Sequence, residues 1–164
     1  MRFVSFFVLL LLALLPMCDH HGHDGGHGHS TYTGERPEQL ALPENLRALL
    51  REEMGLLERD MQALLGALVR GDRDRSQELA ARIRGSYILE QRLSQGELEE
   101  LGRLLPEDFV ELDSGFHESA GRLEEAARAG RFGDAIDLYA SMSRACVQCH
   151  SQYATERFPG LRGQ

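Results

Sequence analysis

Cys146-Val147-Gln148-Cys149-His150 lies near the C-terminal end of the 164-residue chain. Two cysteines three apart, with a histidine directly after the second, form the attachment pattern of a c-type haem. The spacing has a physical reason. On a helix, positions i, i+3 and i+4 share one face, so Cys146, Cys149 and His150 project together. Each thiol can add to one haem vinyl group, and the imidazole is left beneath the ring as proximal ligand to iron. The sixth ligand then decides the chemistry. Three rival readings lack their context. A thioredoxin-like redox pair needs a C-x-x-C beside a βαβ pattern, and no strand run precedes this one. A zinc site needs four ligands, usually from two such pairs, and the chain has one pair. A structural disulfide does not require the following His. One covalent haem c is the expected cofactor.

Upstream of the motif the chain reads as helices. A first helix should begin near Pro43, a favoured first helical residue, and stop before Gly71. Leu46, Leu50, Met54, Leu57, Met61, Leu64 and Leu68 recur along it every three or four residues, which makes one apolar stripe. A second helix should run from about Asp72 to Leu93, with Leu79, Ile83 and Tyr87 inward. Ser94 followed by Glu97 resembles a capping box and predicts a short extra helix before Pro106. A third helix is expected from Pro106 to Ala129, with Phe109, Leu112, Phe116, Leu123 and Ala127 as its stripe. A fourth starts near Phe132 or Asp134 and continues to about Phe158. Its stripe is Phe132, Ile136, Tyr139, Met142, Cys146, Cys149 and Tyr153, so the motif falls on the buried face. The expected fold is all-α: an antiparallel up-down four-helix bundle over 40–164, with a short extra helix between the second and third. Cofactor sites of such bundles lie between facing helices.

The N-terminal end has a different composition. One charge at Arg2 precedes an apolar run from Phe3 to Leu15, shorter than the roughly 20 residues a bilayer span needs. Residues 1–17 read as a secretory signal peptide, which sends the mature protein to the periplasm. Cys18 follows at once. Its position resembles a bacterial lipoprotein cleavage site, which implies a lipid anchor, although Pro16 and Met17 depart from the small residues usual there. Ordinary signal cleavage is the alternative. Residues 18–39 read as a His/Gly-rich flexible linker. It carries His20, His21, His23, His27 and His29, either as a polar tether or as a divalent-metal tract.

There are 18 basic residues, all Arg, against 26 acidic ones, for a net charge of −8. That argues against nucleic acid and against anionic membrane surfaces, and it suits docking to a basic redox partner. No paired carboxylates or activated nucleophile stand at an informative spacing, so an enzyme is not expected.

The motif near the end of the last helix, with Tyr153 three residues after His150, resembles the class II c-type cytochromes, the cytochrome c′ family. Glu53-Met54 through Gly71-Asp72 also looks like that family's first helix and its turn. The resemblance covers about residues 40 to 158. Where the family often has a basic residue after the Tyr, this chain has Ala154. The resemblance implies a homodimer and a sixth iron position served by the first helix. A Met there gives a six-coordinate electron carrier; a non-ligand leaves a five-coordinate iron that binds gases such as nitric oxide and carbon monoxide. Register selects Met54 over Met61. His150 lies about 18 residues, or about 27 Å, along the fourth helix, and the same distance back along the first lands near residue 52. Phe109, Leu112, Phe116 and Tyr153 are expected to pack on the ring. Arg51 or Arg47 could pair with a propionate, or be solvated. His117 reads as a boundary residue beside its stripe. The expected function is a periplasmic monohaem electron-transfer protein. The alternatives are a gas-binding cytochrome and a haem-free metal-handling lipoprotein.

Overall fold

Leucine spacing and helix-end chemistry govern where each helix of this chain begins and stops. The computed structural model describes residues 40–85 and 92–163, and among these there is no strand. Five α-helices among the described residues follow one another: α1 (Glu44–Val69), α2 (Arg73–Arg84), α3 (Gln95–Leu104), α4 (Glu107–Arg128) and α5 (Phe132–Tyr153), with a 3-10 turn at Pro159–Leu161. The signal peptide expected at 1–17, Cys18, the His-rich tract and Tyr87 lie outside the described residues. No helix among the described residues is long and apolar enough to cross a membrane.

Two helix ends are closed in the same way. After α1, Gly71 has φ 67° and its N–H donates to the Leu68 carbonyl, while the Asp72 N–H donates to Ala67. After α4, Gly130 has φ 71°, and the pattern repeats with Ala127 and Ala126. These are Schellman closures, and the left-handed backbone they require favours glycine. Asp72 then caps α2 by accepting from the Arg75 N–H. Ser94 and Glu97 form both bonds of the expected capping box at the start of α3.

Two helices end earlier than their sequence patterns suggest. α2 stops at Arg84, not Leu93, because Gly85 is extended at φ −89° and ψ 149°. Glycine is a poor helix former, and the Ile83 carbonyl is taken by His117 from α4. α5 stops at Tyr153, not near Phe158. Phe158 turns back to stack on His150 with ring centroids 4.3 Å apart. Eight residues of continuous helix would separate those two positions by about 12 Å.

α2 packs on α4, α4 on α5, and α1 on α2; α1 touches α5 over a shorter stretch. Buried residues form two groups. The larger holds Leu57, Met61, Leu64, Leu79, Ile83, Phe116, Leu123 and Met142. The smaller holds Leu40, Leu42, Leu46, Leu93, Leu101, Phe109 and Tyr153. One buried charge ties α1 to α2: Asp60, 2% exposed, receives Arg82 Nε at 2.8 Å.

Leu123 is fully buried and Leu65 is 42% exposed. Leu123→Ala is therefore expected to cost about 2–5 kcal/mol in urea unfolding, and Leu65→Ala within about 0.5 kcal/mol of nothing. Gly130→Ala should also destabilise, because an L side chain is strained on its left-handed backbone at φ 71°.

Candidate haem site

Cys146, Cys149 and His150 all lie within the continuous helix α5, so i, i+3 and i+4 spacing sets them on one face. All three are half-buried, and both thiols are free. Around them the α5 stripe is closed at Met142 and Tyr153, which are buried, and half-open at Ile136, Tyr139 and the cysteines. Cys146 packs against the larger apolar group and Cys149 against the smaller. The motif thus spans the seam between the two.

Burial sets the electrostatics of the motif. It pushes the Cys146 thiol up. It pushes Cys149 up to about 12, with the Asp113 carboxylate and Cys146 adding to the effect. A dithiol oxidoreductase needs a depressed thiol pKa, so these shifts run against thioredoxin-like chemistry. His150 moves the other way, down, because of burial and then the nearby Arg157, with Glu58 opposing. The shift favours the neutral imidazole, the form that binds a metal. Among the described residues no three His, Cys, Asp or Glu side chains gather as they would around a metal ion.

A cavity of about 370 Å³ lies between α1, α3 and α4. Met54 and Leu50 line it from α1, Phe109 from α4, Leu98 and Leu101 from α3, and Leu105 from just beyond the end of α3. Polar groups enter it at Glu53, Arg84, Asp113, Ser114 and His117. None of Cys146, Cys149 and His150 lines it; Asp113, which does, acts on Cys149 through its charge. Volume and lining fit an organic group with an apolar body and a polar edge.

The cavity separates two methionines that share the α1 stripe. Met54 is half-buried and lines it, whereas Met61 is 7% exposed inside the larger apolar group. The α1 carboxylate that acts on His150 is Glu58, between the two methionines. Phe109 lines the cavity and meets Tyr153 edge-on at 5.3 Å. Leu112 and Tyr153 belong to the smaller apolar group and Phe116 to the larger; none of the three lines the cavity. Arg51 faces Glu44 at 3.8 Å and is half-exposed, and Arg47 donates to the Leu42 carbonyl at 2.8 Å. Neither arginine lines the cavity.

His117 has a structural role. Its Nδ1 lies 2.6 Å from the Ile83 carbonyl oxygen. A carbonyl only accepts, so Nδ1 carries the proton and caps the end of α2. Nε2 faces Asp113 at 3.6 Å. A second proton there turns a lone pair facing a carboxylate into a donor. The imidazole pKa is accordingly raised, chiefly by Asp113, with burial opposing. Arg84, Asp113 and Ser114 were not singled out by the sequence, and Glu53 only as part of the resemblance. Glu53 sits on the buried face of α1; the other three lie off the apolar stripes, and only helix packing gathers the four.

A raised histidine pKa stabilises the fold below the unfolded value of 6.5 and loses that contribution as pH rises through the folded value. Melting temperatures of the wild type and Asp113→Asn are therefore expected to differ most below pH 6.5 and to converge on the alkaline side. His150, whose shift has the opposite sign, is common to both proteins. A gap that does not narrow with pH would remove Asp113 as the cause.

Comparison of this chain with protein-family models, with curated proteins and with solved structures finds no match to any of them.

Proposed function

We propose that the chain is a periplasmic monohaem c-type cytochrome that carries electrons, with an antiparallel up-down four-helix bundle similar to that of the cytochrome c′ family. The observation that supports it is the seam on α5. Two thiols and a neutral imidazole share one half-buried face, and each thiol meets a different apolar group. A flat, largely apolar ring fits between such groups. Cys146 and Cys149 would hold haem c covalently, and His150 would be the proximal ligand. When bound, the haem supplies the one-electron couple, and the protein tunes it through ligand, burial and hydrogen bonds.

The chain's own residues do the rest. Met54, at the cavity wall, is the candidate sixth ligand, and a His/Met pair raises the potential. Phe109 and the α3 leucines keep water from the ring. Phe158 stacked on His150 holds the imidazole plane, which in the free side chain would rotate. The acidic surface favours a basic redox partner. An export signal at 1–17, a lipid anchor at Cys18 and a homodimer belong to the same proposal. The role is electron carriage with no catalysed reaction of its own.

A second reading has an observation behind it. The cavity beside Met54 has room for a small ligand, so a chain in which Met54 does not bind iron would be five-coordinate and take up nitric oxide or carbon monoxide.

The exported protein is expected to keep haem on a denaturing gel, and Cys146→Ala with Cys149→Ala together to abolish that retention. A colourless protein with two alkylatable thiols would refute the reading. Met54→Ala is expected to convert a low-spin spectrum to high-spin and to open the reduced protein to carbon monoxide. An unchanged low-spin spectrum would exclude Met54 as the ligand, and a wild type that already binds carbon monoxide freely would favour the gas-binding reading.

A further inference from the structure

We infer that the cavity between α1, α3 and α4 is a binding site in its own right, for a small molecule with an apolar body and a protonated amine. The inference does not rest on the haem reading, since none of Cys146, Cys149 and His150 lines the cavity. At about 370 Å³ it has the size of a small-molecule site, and such sites are mostly apolar with a few placed polar groups. Leu50, Met54, Leu98, Leu101 and Phe109 supply the apolar part, which takes up hydrocarbon.

The polar part decides the charge of the ligand. Two carboxylates line the cavity, Glu53 from α1 and Asp113 from α4. They converge on His117: Asp113 Oδ1 lies 3.6 Å from its Nε2, and the Glu53 charge acts on the same imidazole. Glu53 is 2% exposed, so solvent screens its charge little. Among the described residues that line the cavity, Arg84 is the only arginine or lysine. Its Nε donates to Glu124 Oε2 at 3.0 Å, which offsets its charge. With Glu124 included, three carboxylates stand against one permanent cation, so the balance is negative with His117 in either protonation state. A carboxylate or phosphate head is repelled there, and an ammonium head forms charge-assisted hydrogen bonds. At longer range α3 carries Glu97, Glu99 and Glu100 against Arg103, on a chain of net charge −8, and that field draws cations in.

The test is titration calorimetry of the full exported chain with octylammonium, octanol and octanoate, which share one hydrocarbon chain and differ in the head. Octylammonium is expected to bind once per chain and about tenfold more tightly than octanol, with octanoate weaker than either. Glu53→Gln is expected to bring octylammonium down to the affinity of octanol and to leave octanol binding where it was, which a loss of packing would not do. Glu118→Gln, at an exposed carboxylate of α4 that does not line the cavity, is expected to change nothing. The inference is overturned by octanoate binding as tightly as octylammonium, by the absence of saturable binding, by an unchanged octylammonium affinity in Glu53→Gln, or by an equal loss in Glu118→Gln. If Glu53→Gln does not fold, Asp113→Asn is read by the same criterion. A colourless chain removes the haem reading and leaves the result of this titration standing.

Discussion

The structure turns on the incomplete burial of one face of α5. Between Met142 and Tyr153, both buried, the helix presents Cys146, Cys149 and His150 to two apolar groups that approach it from different sides. Apolar surface left half-covered is unfavourable by about 25 cal/mol per Å². That face carries thiols and an imidazole where α1 carries leucines, and the proposed haem would cover it. Much of the rest of the fold serves to hold that face: α4 runs along α5, and Phe158 returns from beyond the helix end to cover His150.

Charge is arranged around the seam with equal economy. Asp113 raises Cys149 and His117 alike, so one carboxylate couples the motif to the cavity wall and to the end of α2. His117 joins α4 to α2 through the Ile83 carbonyl, beside the Arg84–Glu124 pair that joins the same two helices. The place where α2 stops is therefore a polar junction, and it stands at the cavity. A helix carried on to Leu93 would put Ile83 in mid-helix, its carbonyl bonded within α2 and withdrawn from His117.

The five helices and their caps were legible because each rests on local chemistry. Leucines at three- and four-residue spacing, Gly71 and Gly130 after the last turn, and Ser94 with Glu97 need no distant contact to be read. The ends of α2 and α5 were not legible, since both are decided by residues far along the chain or beyond the helix. The Ile83 carbonyl is met from α4, and Phe158 leaves the helix for the sake of one ring contact. Among the site residues, Met54 stood out by its stripe and register. Arg84 did not, because an arginine near a helix end ordinarily reads as a solvated side chain.

By itself the sequence determined the helices and the motif: covalent spacing fixes that Cys146, Cys149 and His150 share a face, whatever α5 packs against. Tertiary structure alone decided what that face meets. It set Met54 at a cavity wall and Met61 in closed core, although the two share a stripe, because the neighbours contributed by α3 and α4 differ along its length. It also brought Arg84 to that cavity and left Arg51 outside, since a side chain's reach is set by the crossing of helices and not by its distance along the chain.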